Sequence, residues 1–398
     1  MSDTPKTRWV VPMSAPDLTP DERRSVAEVL NTRWLSMGPQ IAAFEQSVAD
    51  YVGARHAVAV NTGTAALHLC VRAAGVQDGD LVITTPFSFV ASTNAILYER
   101  AIPVFVDVDP ATGNIDPEAA AAAASDLNQA KGARQARLPR RGTSSAGRLR
   151  AMLAVDVFGQ PADFDGLNAA ASAHGLAVIE DSAEAIGSTY KGRPAGTLGD
   201  AGVFAFYPNK QLTTGEGGMV VTDHDGWADS IRALRNQGRA VGDTWLEHSL
   251  LGYNYRLPEI SASLGLAQMR RLDELLQARQ RVADWYGQAL EGAEGIQLPT
   301  LAAETTRMGW FVYVIRLREG IDRAQVMSRL VDRGIPSRPY FPPIHLQPYM
   351  RERFGYRPGD FPVAEDLGAR GLALPFSGIM SEEQVGIVAE AVIGAIAA

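Results

Sequence analysis

The stretch FAFYPNKQLTTGEGGMVVT, residues 204–222, holds Lys210, one of only four lysines in a chain with 37 basic residues. The others lie in an N-terminal tail (Lys6), a polar insertion (Lys131) and a YKGRPAG turn (Lys191). Lys210 alone follows a β-like run and precedes a glycine-rich segment. An amine fixed at a strand end is a nucleophile toward carbonyl carbon, and a base when free. VIEDSAEAIG, residues 178–187, ends a second β-like run with Asp181. Carboxylates at the C-terminal ends of parallel strands face the crevice where α/β proteins bind ligands. VNTGTAALHL, residues 60–69, reads as a strand, a turn at Gly63 and a helix start. There Thr64 and Ala65 offer N–H groups and a hydroxyl at a positive helix end, which suits phosphate. TTPFSFVAS, residues 84–92, puts Phe89 just after another strand end.

Singly, these stretches read equally well as a solvated turn, helix caps and a core aromatic. Jointly they supply an amine, a carboxylate, a phosphate cradle and a flat ring, which are the requirements of pyridoxal 5'-phosphate. Other chemistries lack their motifs: there is no G-x-x-x-x-G-K-[ST], H-E-x-x-H, G-x-S-x-G or C-x-x-C. The six histidines have no metal-like spacing, so no metal is expected. A net charge of -8 argues against whole-surface attraction to nucleic acid or anionic membrane. One cysteine, Cys70, rules out an intrachain disulfide framework. No apolar run has signal-peptide or membrane-span length, so a soluble cytoplasmic protein is expected.

The elements that must position these residues alternate. β-like runs at 56–60, 81–85, 103–109, 152–158, 176–181, 202–207 and 218–223 are separated by helical patterns. The runs do not alternate strictly, as expected of strands buried on both faces of a mostly parallel, doubly wound α/β sheet. A long helical pattern over 255–292 follows, then a strand at 310–317, a helix at 322–334 ended by Gly334, and a terminal helix capped by Ser381 and Gln384. The division expected is an arm at 1–30, a large domain at 31–259 and a small α+β domain at 260–398. Residues 125–150 hold seven basic residues and one acidic, and read as a basic surface insertion.

The stretches GPQIAAFEQSVADYVGARHAVAVNTGTAALHL, VFGQPADFDGL, EDSAEAIGSTYKGRPAGTLGDAGVFAFYPNKQLTTGEGGMVVT, GYNYRLPEISASLGLAQM and GIPSRPYFPPIHLQPY resemble the DegT/DnrJ/StrS family of sugar aminotransferases. The resemblance runs from about residue 30 to 398, outside the insertion. It implies the aspartate aminotransferase fold (fold type I), with Lys210 as the Schiff-base lysine and Asp181 as partner of the pyridinium nitrogen. It also implies Phe89 stacked on the ring and Thr64 and Ala65 on the phosphate. Asn254, in GYNYR, matches a residue that reaches the partner subunit's phosphate, implying a homodimer with shared sites. Two positions depart from the pattern. Glu184 stands where glutamine or histidine is usual near the cofactor's phenolic oxygen, and Ala205 where a phosphate-binding serine is usual. The resemblance implies L-glutamate as donor and a nucleotide-linked keto sugar as acceptor, with Tyr207, Arg338, Tyr340 and His345 as substrate contacts. TTGEGGM resembles enzymes that aminate C-4 of a 4-keto-6-deoxyhexose, with Glu216 beside the reacting carbon. Amination at C-3, an aminocyclitol or aminohydroxybenzoate product, and a non-catalytic regulatory relative stay open. A dehydratase would carry histidine in place of Lys210.

Overall fold

Seven short apolar runs form the central sheet: β1 (His56–Val60), β2 (Leu81–Thr84), β3 (Ile102–Phe105), β4 (Leu149–Val155), β5 (Ala177–Asp181), β6 (Ala201–Ala205) and β7 (Gly218–Thr222). The computed structural model describes residues 9–129, 131–240 and 242–397, so Lys6 and the start of the expected arm lie outside the described residues. The spatial order is β1-β7-β6-β5-β4-β2-β3. Neighbours from β3 to β6 pair parallel, and β7 pairs antiparallel with both β6 and β1. Most of these strand residues are buried, as a sheet covered by helices on both faces requires.

Before the sheet come α1 (Pro20–Thr32) and α2 (Pro39–Val52); α3 (Gly63–Ala73) and α4 (Ala91–Tyr98) follow β1 and β2. The helical pattern expected over 255–292 is two helices, α5 (Glu259–Met269) and α6 (Leu272–Ala289). At the break Arg271 leaves helical backbone geometry, with φ -126° and ψ 23°. Its side chain donates to Asp17 at 2.7 Å and to the buried Glu22 at 2.8 Å, and so ties the N-terminal segment down. The core changes inside α6 rather than at residue 260. Leu272, Leu275 and Leu276 pack with Phe44 and Phe206 beside the large sheet, whereas Val282, Ala283 and Tyr286 pack with Tyr313 and Phe376 beside a second sheet. That sheet is antiparallel, in the order Ile296–Gln297, Tyr313–Leu317, Gly371–Leu374. The terminal helix, Glu382–Ala397, begins with the expected reciprocal bonds between Ser381 and Gln384.

The insertion is shorter than 125–150. Residues 125–128 finish the helix Pro117–Asn128, and Leu149 and Arg150 begin β4. Between them, Arg134 donates to the carbonyl of Leu127 at 2.7 Å and Arg137 pairs with Asp126 at 2.7 Å, so the segment is tied to its surroundings. No described helix is long and apolar enough to cross a membrane.

Candidate active site

A cavity of about 590 Å³ opens at the C-terminal ends of β4, β5 and β6. Its wall gathers Gly63, Thr64, Phe89, Asp181, Glu184, Tyr207, Lys210, Glu216 and Tyr340. These residues are dispersed over some 280 positions of sequence and meet because parallel strands deliver their C-terminal loops to one edge.

At one end lies the start of α3. Thr62 is the N-cap, and its Oγ accepts the N–H of Ala65 at 3.0 Å. The first N–H groups of a helix have no intrahelical partner, so those of Gly63 and Thr64 are left for an anion. The N–H of Ala65 is engaged by the cap, and Ala65 lies just behind the wall residues Gly63 and Thr64. A Cβ on Gly63 would lie 2.6 Å from that of Ala205, so only glycine lets the loop approach β6 this closely.

Asp181, 5% exposed, accepts from Ser92 Oγ at 2.7 Å and from the N–H of Ala183 at 3.3 Å. Burial pushes its carboxyl above the ordinary range, against the opposing effects of Ser92, Ala183 and the charge of Lys210. A buried carboxylate so placed gains most from a cationic N–H donor. Lys210 Nζ stands 3.3 Å from Glu184 Oε1 and 3.8 Å from the centre of the Phe311 ring. Glu184 Oε2 accepts the N–H of Phe158 at 3.0 Å. Burial raises the Glu184 carboxyl, with Lys210 opposing. Behind the lysine, buried Arg279 donates to four backbone carbonyls, those of Asn209, Lys210, Trp310 and Phe311, at 2.6 to 3.2 Å. Burial pulls its guanidinium down to about 10, and no carboxylate among the described residues pairs with it.

Three other expected residues lie outside the wall. His345 is fully buried, with Nε2 3.0 Å from Glu365 and the ring packed on Phe361, so it is a core residue and not a substrate contact. Arg338 is exposed just beyond the wall residue Pro339. Asn254 is exposed and bridges in antiparallel fashion to Asn236, outside this chain's own cavity. Phe89 and Tyr207, 60% and 52% exposed, stand in the wall. Thr62, Ser92, Asn209, Phe311 and Arg279 were missed from sequence. A threonine one residue before the glycine turn was a legible cap signal for Thr62; Phe311 and Arg279, about 100 and 70 positions beyond Lys210, gave none.

Amine, buried carboxylate and open helix N-terminus fit pyridoxal phosphate: Gly63 and Thr64 would hold the phosphate, Asp181 the ring nitrogen and Lys210 the aldehyde carbon. Sheet, second domain and cavity define a fold-type-I aminotransferase. The chain belongs to the DegT/DnrJ/EryC1/StrS aminotransferase family, whose model matches residues 16–393. It is 37% identical to the spore coat polysaccharide biosynthesis protein SpsC of Bacillus subtilis, over 97% of each chain. It is 38% identical to GDP-perosamine synthase of Caulobacter vibrioides, also over 97% of each. Among solved structures, Helicobacter pylori PseC, an aminotransferase involved in the biosynthesis of pseudoaminic acid, matches with a TM-score of 0.86 at 27% identity. That match covers 97% of this chain and 99% of the other. The family and its solved members imply dependence on pyridoxal phosphate.

Proposed function

We propose that this enzyme moves an amino group from L-glutamate to C-4 of a nucleotide-linked 4-keto-6-deoxyhexose, for polysaccharide or glycan biosynthesis in the cytoplasm. The convergence of Lys210, Asp181 and the α3 N-terminus on one cavity carries the reading of amino transfer. The C-4 assignment is supported by the position of Glu216 in the wall and by the likeness to GDP-perosamine synthase.

Pyridoxal phosphate bound here supplies an aldehyde that exchanges amines and a ring that takes up electron density from the donor's Cα. The chain's residues do the rest. Gly63 and Thr64 bind the phosphate. Asp181, oriented by Ser92, holds a cationic N–H in the buried part of the cavity. Phe89 covers one face and excludes water. Lys210 Nζ takes the proton from the donor Cα and delivers it within the same cavity, and Glu184 holds a proton beside it. Tyr207, Tyr340 and Arg338, at or just beyond the wall, contact the sugar nucleotide. Asn254 reaches the phosphate of a second subunit, so the working unit is a homodimer.

Incubation with L-glutamate and a panel of nucleotide-linked keto sugars, with NMR of the product, tests the reading. An amine at C-4 is expected; an amine at C-3 with 4-keto sugars refused overturns the position. Full turnover by Lys210→Ala overturns the mechanism. Mixed Lys210→Ala and Asn254→Ala protomers should regain activity through hybrid dimers, whereas a fully active monomer would refute shared sites.

A further inference from the structure

The basic insertion found in the sequence is not absorbed by the aminotransferase site. Its arginines form one wall of a second cavity, of about 610 Å³, which shares no lining residue with the first. Arg140 and Arg141 come from the insertion. Arg351 and Glu352 come from helix Pro348–Phe354, and Tyr356 and Arg357 from the turn after it. We propose that this cavity binds a diphosphate-bearing anion.

The charge balance carries the argument. Arg140 is neutralised by Asp360, at 2.5 and 2.7 Å. Arg141, Arg351 and Arg357 have no carboxylate at ion-pair distance among the described residues, and Glu352 is the one acid in the wall. The cavity thus holds a surplus of about two positive charges on a chain whose net charge is -8. Unpaired guanidinium groups around one hollow repel each other, and each offers a planar fork that matches phosphate oxygens.

The hollow is also fixed in shape. The N–H of Arg141 donates to the carbonyl of Phe354 at 3.1 Å. Gly142 has φ +68°, and a Cβ there would lie 3.0 Å from the carbonyl oxygen of Arg353, so a side chain would push the insertion away from the helix. Tyr356 is buried, and its hydroxyl donates to the carbonyl of Pro103 at 3.3 Å, which leaves no free aromatic face in the wall for a base to stack on. The features that recognise a ligand are therefore the forks, and the recognised group is the diphosphate, either free or carried by a nucleotide.

Isothermal titration of the full chain with inorganic pyrophosphate, with GDP and with a short DNA duplex, at about 0.15 M salt, tests this. One saturable pyrophosphate site per chain is expected. Arg141→Gln with Arg351→Gln should weaken it about tenfold or more, and Arg141→Lys with Arg351→Lys by less, because lysine keeps charge but not the fork. GDP bound as tightly as pyrophosphate at the site these variants remove identifies the free diphosphate as sufficient. Tighter GDP binding, lost in the same variants, identifies a nucleotide as the source. No saturable binding, binding unchanged in both variant pairs, or preference for the duplex overturns the proposal.

Discussion

Arg279 donates to the backbone carbonyl of Lys210 at 2.6 Å and to that of Phe311 at 3.2 Å, joining the amine and the ring beneath it through one buried cation. A planar fork holds two chain segments in one fixed geometry, which the compact ammonium of a lysine does not. Arg279→Lys should therefore lower kcat by about tenfold, with the fold retained. Arg279→Met should also cost about 3 kcal/mol of stability, because buried carbonyls lose their donor. Steady-state kinetics and urea unfolding check both. Unchanged kcat in Arg279→Lys would reduce the arginine to a packing role.

Ser92→Ala removes a side-chain donor from Asp181 while leaving the N–H of Ala183. The Asp181 carboxyl should rise further, since Ser92 opposes the effect of burial. Cofactor affinity, read from the visible absorbance on titration with pyridoxal phosphate, should fall about tenfold, or roughly 1.4 kcal/mol. Equal affinity in the variant would detach Asp181 from cofactor binding.

Glu184→Gln keeps an acceptor for the N–H of Phe158 and replaces the ionisable carboxyl facing Lys210 with an amide. Wild-type Glu184 holds its proton above the ordinary carboxylate range because it is buried. It loses that proton as pH rises through the raised pKa, and activity should fall with it. The amide is a donor at every pH, so this alkaline decline should vanish, with the rate near neutrality about tenfold lower. A kcat/KM profile from about pH 5 to about pH 9 decides. A decline identical to the wild type's would assign it to another group.

Deeper in the sheet, Ser182 Oγ lies 2.6 Å from Asp156 Oδ2 and 2.8 Å from Glu180 Oε1. A hydroxyl has one proton to donate, so the second contact needs a carboxyl proton. Burial raises both acids, and the Glu180 charge raises Asp156 further. The folded chain thus keeps a proton that the unfolded chain has released. Stability should fall as pH rises from the ordinary carboxylate range through the raised pKa, by up to about 1.4 kcal/mol per pH unit for one proton. Asp156→Asn should flatten that slope in urea unfolding followed across pH. An unaltered slope would place the shared proton elsewhere.

Much of this site was legible because it sits at strand ends. β-like runs ending in Asp181 and Phe204–Tyr207, and the glycine turn at Gly63, mark loops on one sheet edge once the strands are taken as parallel. What was hidden has a different origin. Ser92 reaches Asp181 from the first turn of α4, and Phe311 and Arg279 reach Lys210 from the segment just before the strand Tyr313–Leu317 and from α6. Such contacts leave no local spacing. His345 was expected among the substrate contacts from the resemblance carried by GIPSRPYFPPIHLQPY, which says nothing of where its ring points. The short turn Ile344–Leu346 instead directs the imidazole inward, onto Phe361 and Glu365. Arg271 likewise read as an ordinary residue of a long helical pattern; its partners, Asp17 and Glu22, come to it from the N-terminal segment.

The change of core within α6 has a mechanical meaning. Arg279 falls between Leu276, packed beside the large sheet, and Val282, packed beside the small one. If the two sheets rock against each other about this helix, the fulcrum lies at the residue that grips the lysine backbone, and displacement grows with distance from it. Lys210 would then sit near the still point of any opening and closing, and Tyr207, whose carbonyl accepts the Lys210 N–H at 2.9 Å, would stay there with it.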